Sequence, residues 1–254
     1  MKYAFAGDRK ISLNILQFLI SKGYKPSALF ISDKNKSTHD EELIRLSGLD
    51  SKFIFRGNEF KNSLDLLKTL ELDYIFGIHF PYIISKEFLE IPKIGFLNLH
   101  PAYLPFNKGW HTPSWAIIDG TIYGATLHFM SEQLDCGDII HQKKLIIQPE
   151  DTANTLYKKV LKLEEEVFYE AFDDLVRLKP KTIKQTSIGT SHSKKDLKDI
   201  QEIKLDEKYS GEYFIDLLRG LTTSVPEEGA YFILGGERFY IQVSILKGNK
   251  NNQV

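Results

Sequence analysis

Apolar residues fall in short, nearly unbroken runs separated by stretches of helical period. Residues 3–7, Tyr-Ala-Phe-Ala-Gly, form the first run, and ISLNILQFLISKG follows with Ile11, Leu13, Ile15, Leu16, Leu19 and Ile20 on a helical repeat. This reads as strand, tight turn and helix, with Ser12 or Asp8 available as a cap and Gly23 placed to end the helix. The pattern recurs: a strand at 27–32, a polar helix at 38–47, a short strand at 53–55, a helix at 60–70 and a strand at 73–78. Strands that are apolar on both faces and alternate with helices predict a parallel sheet covered on both sides.

Further along, IGFLNLH (94–100) predicts another buried strand, YGATLHFM (123–130) the next, and IIHQKKLIIQ (139–148) a long one after the turn SEQLDCGD. A helix is expected from Thr152 to about Leu178, started by Asp151-Thr152 and carried by Leu156, Val160, Leu163 and Val167. Residues 179–206 turn polar and weakly periodic, as a linker or wrapping segment does. A short helix near 211–221 and a hairpin about Gly235-Gly236 follow, and 247–254 is expected to fray. The fold class is therefore α/β: a doubly wound, mostly parallel, Rossmann-like sheet with a small C-terminal β-hairpin appendage. Its domains are expected to be 1–180 and 181–254.

Composition narrows the function. The 33 Lys+Arg against 34 Asp+Glu leave a net charge of −1, so the chain can offer a polyanion at most a local patch, and no nucleic-acid partner is expected. The single cysteine, Cys136, excludes an intramolecular disulfide and a cysteine zinc framework, and fits a reducing, cytoplasmic setting. Asp8, Arg9 and Lys10 interrupt the N-terminal apolar run before a signal-peptide core forms. No window reaches the roughly 18 apolar residues of a membrane span, so neither secretion nor a membrane partner is expected. The turn Gly-Asp-Arg-Lys after the first strand has one glycine where the dinucleotide fingerprint needs three, and a Walker A pattern is absent. His79, His100, His111, His128 and His141 do not fall at metal-ligand spacing, and no metal is expected.

Chemistry concentrates after residue 97. Asn98 and His100, two apart on a strand, point to one face, and Pro101 stops the strand just beyond them. Ligands of open α/β sheets bind outside the carboxyl ends of strands, so the pair reads as the wall of a cleft. Its alternative is a hydrogen-bonded pair within the core. The turn Leu-Asp-Cys-Gly-Asp adds the carboxylates of Asp135 and Asp138. An amide that donates to an oxyanion, an imidazole that moves protons and a carboxylate that orients it can together perform acyl-type transfer.

NLHPAYLP at 98–105, GATLHF at 124–129 and LDCGD at 134–138 resemble the N-x-H-P-x-x-L-P, G-x-T-x-H and L-D-x-G-D pattern of the folate-dependent formyltransferases. The resemblance covers roughly residues 1–180. A weaker match, LLRGLTTSVPEEGAYF at 217–232, looks like the end of the sugar-nucleotide branch. It implies transfer of a formyl group from N10-formyltetrahydrofolate to a primary amine without a metal. In that reaction Asn98 would polarise the formyl oxygen, His100 handle the proton and Asp135 supply the carboxylate; Cys136 is given no nucleophilic role. Phe80, Leu97 and Asp138 are the implied folate contacts.

AFAGDRKIS, GIHFPYIIS at 77–85 and FNKGWHTPSWAI at 106–117 are similar to the sugar N-formyltransferases acting on dTDP-linked amino-dideoxyhexoses. By that likeness Arg9 and Lys10 would meet a diphosphate, with solvated loop charges as the alternative. Gly77, Ile78 and His79 would make backbone contacts to sugar or pterin, and Trp110 and His111 would line the sugar pocket, unless Trp110 is a packing aromatic. The methionyl-tRNA branch appends a C-terminal barrel and a basic surface, for which the chain after Pro180 is expected to be too short. A dTDP-4-amino-4,6-dideoxyglucose is the expected substrate, feeding O-antigen or other lipopolysaccharide synthesis. A 3-amino or GDP-linked sugar, methionyl-tRNA, and a non-catalytic folate or nucleotide sensor are the other readings. Tyr231, Phe232, Phe239 and Tyr240 in the hairpin are expected to pack or to join a homodimer.

Overall fold

The apolar runs become strands in the order in which they occur. The structure is a computed structural model, and it describes residues 1–185 and 188–248. β1 (Tyr3–Gly7) leads to α1 (Lys10–Ser21), β2 (Ala28–Ile31) to α2 (Asp40–Ser47), and β3 (Ile54–Arg56), through a 3-10 turn at Gly57–Ser63, to α3 (Leu64–Thr69). β4 (Tyr74–Ile78), α4 (Lys86–Leu89) and β5 (Gly95–His100) follow. Then come β6 (Lys108–Gly109), α5 (Thr112–Ile118), β7 (Tyr123–Phe129), β8 (Ile139–Leu145) and α6 (Ala153–Val176). The chain closes with β9 (Ser191–His192), α7 (Asp196–Asp199), α8 (Gly211–Gly220) and the hairpin strands β10 (Ala230–Leu234) and β11 (Glu237–Ile241).

Seven strands form one sheet in the order β3-β2-β1-β4-β5-β7-β8. The pairs β1/β2, β1/β4, β2/β3 and β4/β5 are parallel, whereas β5 and β7 run antiparallel. The mostly parallel, doubly wound architecture read from the apolar runs is thus present, with its C-terminal antiparallel hairpin. Among the described residues no helix is long and apolar enough to cross a membrane.

Internal contacts divide the chain into two units that interleave along the sequence. The first comprises 1–100, 125–143 and 163–186; the second comprises 101–124, 144–162 and 187–254. In the first, side chains alternate across β1. Ala4 and Ala6 join Ala28, Phe30, Phe60, Leu67 and Phe96 in one core cluster. The ring of Tyr3 meets Phe76, which stands edge-on to Phe168 of α6 at 5.5 Å. Full burial of such side chains contributes about 1.5–3 kcal/mol each, which is why both faces of these strands are apolar.

The second unit packs α5 against α8 around Trp115, Leu197, Leu217, Leu221 and Ala230. Gly220 permits that approach, since a Cβ there would lie 2.6 Å from a side-chain carbon of Ile118. The Arg219 guanidinium donates to the carbonyls of Asp151 and Gln148, both at 2.8 Å. In the hairpin Tyr231 pairs with Tyr240 and Phe232 with Phe239, and both turn glycines take positive φ, as a two-residue hairpin turn requires.

Local chemistry differs from the sequence reading in several places. Neither Ser12 nor Asp8 caps α1, whose N-cap is Arg9 with no side-chain bond. Ser12 Oγ instead accepts from the Asp8 N–H and donates to the Ile78 carbonyl, and Asp8 Oδ1 accepts from the Thr38 N–H, so tertiary partners have claimed both would-be caps. Gly23, at φ +87, does stand just beyond the helix end. The stretch 60–70 is α-helical only from Leu64, and β8 stops at Leu145. The polar segment 179–206 carries structure of its own: β9 pairs with β6 and α7 follows it. The tail expected to fray lies outside the described residues from 249 onward.

Candidate active site

Pairing places the first two functional side chains. On β5, Leu97 and Leu99 are buried while Asn98 and His100 share the other face, and Pro101 ends the strand. Across the antiparallel register Asn98 stands opposite His128 of β7, and His100 opposite Thr126. Asp135 arrives from the turn that follows β7, in left-handed backbone conformation at φ +52.

The four groups converge. Asn98 Nδ2 lies 3.5 Å from Asp135 Oδ1 and 3.4 Å from His128 Nε2. His100 Nε2 is 3.6 Å from Asp135 Oδ2, and His128 Nε2 is 3.7 Å from Asp135 Oδ1. His100, His128 and Asp135 are all buried. A buried carboxylate needs charge or hydrogen-bond compensation, and here the His100 imidazole and the Asn98 amide face it. These separations are long for hydrogen bonds, as in many catalytic sites before substrate closes them.

The turn that delivers Asp135 is tightly specified. A Cβ on Gly137 would lie 1.8 Å from the Phe129 carbonyl oxygen, so only glycine lets the turn fold back on β7. Gln185 fastens it by donating from Nε2 to the carbonyls of Asp135 at 2.9 Å and Gly137 at 2.7 Å. Gln185 lies in the polar segment read as linker, and nothing in its sequence neighbourhood marks it.

The other expected residues occupy varied positions. Gly77 and Ile78 are buried at the end of β4, in register with Asn98 and Leu99, and Arg9 and Lys10 are exposed just beyond the end of neighbouring β1. Phe80 packs edge-on to Phe60, and the Leu97 side chain lies wholly in the core, on a strand paired on both sides. The carbonyl of Asp138 accepts from the Phe129 N–H. His79, at φ +53, directs Nε2 at both carboxylate oxygens of the fully buried Glu164, at 2.9 and 3.0 Å. Its imidazole is thus engaged inside the first unit, and the contact expected to sugar or pterin is one of its backbone.

Trp110 and His111 belong to the second unit. Trp110 is half exposed, with the Lys194 ammonium 5.3 Å from its ring centre, so it is not a core aromatic. Burial foremost holds the His111 imidazole below its ordinary pKa; Lys194 adds to this and Glu228 opposes it. A groove of about 740 Å³ also opens in the second unit, lined by Ile117, Ile122, Ile146, Ile215 and Arg219 among others; it contains none of the expected site residues. Among the described residues no group of three or more His, Cys, Asp or Glu is arranged to hold a metal ion.

Residues 25–172 match the formyl transferase family, and residues 196–247 match an N-formyltransferase dimerization C-terminal domain. A dTDP-4-amino-4,6-dideoxyglucose formyltransferase of Mycobacterium tuberculosis is 30% identical over 148 residues, 58% of this chain and 63% of that protein. A methionyl-tRNA formyltransferase of Thermodesulfovibrio yellowstonii is 34% identical over 194 residues, 74% of this chain and 60% of its own length. The chain therefore spans less than two thirds of either relative. Among solved structures, a 4-N formyltransferase from Francisella tularensis superposes with a TM-score of 0.82 at 28% identity, over 97% of this chain and 98% of the other. A sugar 3N-formyl transferase, solved in the presence of dTDP and 5-N-formyl-THF, gives a TM-score of 0.68 at 25% identity, over 93% and 83%.

Proposed function

The chain belongs to the formyl transferase family, and from that membership we propose that it transfers the formyl group of N10-formyltetrahydrofolate to the amine of a dTDP-linked 4-amino-4,6-dideoxyglucose. The convergence of Asn98, His100 and Asp135 at the end of β5 carries the reading. The dTDP-sugar and the position of its amine are supported by the named substrate of the mycobacterial relative and by the 4-N enzyme of Francisella tularensis.

In the proposed reaction the unprotonated amine attacks the formyl carbon. A C–N bond forms and the carbonyl pair moves onto oxygen. The Asn98 Nδ2–H and a protonated His100 donate to that oxyanion, the charge they are positioned to meet as it develops. Collapse breaks the bond to N10 and leaves its electron pair there, while Asp135, directly or through a water, relays the amine proton to N10. Tetrahydrofolate and the N-formylated sugar leave. Arg9 and Lys10, beyond the end of β1, meet the diphosphate by charge-assisted hydrogen bonds. Phe80, Leu97 and Asp138 contact the folate, and Trp110 and His111 the sugar. The enzyme works in the cytoplasm as a homodimer joined through its C-terminal region, and its product enters surface-glycan synthesis.

The deciding experiment incubates the protein with N10-formyltetrahydrofolate and, in turn, the 4-amino and 3-amino dTDP-sugars, a GDP-linked 4-amino sugar and methionyl-tRNA, following release of tetrahydrofolate. The highest kcat/KM is expected with the dTDP-4-amino sugar. Preference for the 3-amino sugar would move the amine, and folate binding without transfer would favour a sensor. The tRNA reading draws on the Thermodesulfovibrio yellowstonii relative. It predicts turnover of methionyl-tRNA that falls steeply with salt, against which the near-zero net charge argues.

A further inference from the structure

The proposed reaction gives His128 no task, although it sits beside the amide that stabilises the oxyanion. The ring is almost fully buried, and its Nδ1 lies 2.8 Å from the Phe129 carbonyl oxygen. A carbonyl only accepts, so Nδ1 carries the proton and, in the neutral ring, Nε2 presents a lone pair. Asn98 Nδ2 faces that lone pair at 3.4 Å. Titratable groups beside the ring include Asp135 in the turn and His100 on β5, whose ring centre is 6.3 Å away.

An asparagine amide can sit in two orientations related by half a turn. In one, Nδ2 faces His128 Nε2 and Asp135 Oδ1; one hydrogen is taken there, and the other remains in the amide plane for an oxyanion. In the reverse orientation, Oδ1 would confront a lone pair and a carboxylate, and the oxyanion would lose its donor. Asp135 enforces the productive orientation only while it is ionised, and the reaction asks Asp135 to move a proton. His128 as a neutral ring, with its tautomer fixed by a backbone carbonyl, enforces it also when Asp135 carries a proton.

We propose that His128 is a positioning residue for formyl transfer, its Nε2 lone pair holding the Asn98 amide with Nδ2, and not Oδ1, toward the reacting oxygen. The proposal rests on the formyl-transfer reading of this site. His128→Leu, which removes the acceptor, is expected to lower kcat about tenfold to a hundredfold with little change in either KM. His128→Gln, which carries an acceptor oxygen of similar reach, is expected to restore most of that loss. In an Asn98→Ala background His128→Leu should cost less than twofold, because the group it acts through is gone. A structural role would instead give losses that multiply. Unchanged kcat in His128→Leu, or multiplying losses, would overturn the proposal. If the Leu variant does not fold, a His128→Gln loss as large as that of Asn98→Ala would overturn it as well.

The side-chain amide resonances of Asn98, assigned by their disappearance in Asn98→Ala, separate this proposal from the reaction it rests on. They should shift in His128→Leu and stay near the wild-type position in His128→Gln whether or not any amino sugar is turned over. Signals indifferent to both substitutions would refute the positioning role even in an active enzyme.

Discussion

Asp135 holds a left-handed backbone conformation, which costs a residue with a Cβ roughly 1–2 kcal/mol. The turn tolerates that cost because the conformation brings the carboxylate to within 4 Å of two imidazoles and an amide. Removing the oxyanion donor with Asn98→Ala is expected to lower kcat by about 10²–10³ with KM little changed, read as tetrahydrofolate release. Gly137→Ala tests the turn, since its methyl would sit 1.8 Å from the Phe129 carbonyl oxygen and the backbone must give way. Its kcat should fall at least about tenfold at temperatures where circular dichroism shows the fold intact, because Asp135 is displaced before the core is. Wild-type kcat in that variant would mean the turn does not position Asp135. Arg9→Ala and Lys10→Ala are expected to raise KM for the sugar nucleotide about tenfold each and to leave KM for the folate unchanged. Equal KM for both substrates in variant and wild type would return the two cations to solvated loop charges.

Among the elements, the start of α6 shows how a sequence signal becomes stability. Thr152 Oγ1 accepts from the Thr155 N–H at 3.4 Å, and Thr155 Oγ1 accepts from the Thr152 N–H at 2.9 Å, a reciprocal cap. Asp151 alongside is buried and takes the Lys159 ammonium at 2.7 Å and the Gln148 N–H at 2.9 Å. Burial is the largest single influence on its carboxyl and pushes the pKa up, but the bonds to Lys159, Gln148 and Thr155 together outweigh it and hold the pKa below the usual carboxylate range. The unfolded chain therefore binds the proton more readily. The stabilisation is fully present above the ordinary carboxylate pKa of about 4 and is lost as pH falls through the lower folded value. Urea midpoints should drop for the wild type below about pH 4 and drop less for Asp151→Asn, which starts about 1–3 kcal/mol less stable at pH 7. Parallel slopes for the two proteins would remove Asp151 from the acid transition. Other elements left no comparable mark in the sequence. The two-residue strands β6 and β9 are too short for any period to show, and α5 is one of several meanings open to a run such as Thr-Pro-Ser-Trp-Ala-Ile-Ile.

For the whole molecule, the charge balance and the hairpin decide what it can meet. β10 and β11 leave Ile233, Leu234, Phe239 and Tyr240 each at least 39% exposed, within the stretch that matches a dimerization domain. Strand alternation puts Ile233 and Tyr240 on one face of the hairpin and Leu234 and Phe239 on the other, so either face offers a second copy an exposed apolar pair. Light scattering should give twice the chain mass of 29.2 kDa for the wild type and the chain mass for a Phe239→Ser/Tyr240→Ser variant. A monomeric wild type would end the homodimer proposal.

Local periodicity determined the layered α/β fold and nearly all its strands, because burial on two faces leaves an uninterrupted apolar run that needs no knowledge of neighbours. Spacing also marked Asn98, His100 and Asp135, two on one strand face and one in a glycine-bearing turn. Register and long-range contact decided what pattern could not. Gln185 reaches Asp135 and Gly137 across about 50 residues of chain, His128 meets Asn98 only because β7 pairs antiparallel with β5, and Glu164 claims His79 from a helix 85 residues away. Hydrogen bonds of this kind depend on the separation of two atoms in space, and a sequence carries that separation only after the chain has closed on itself.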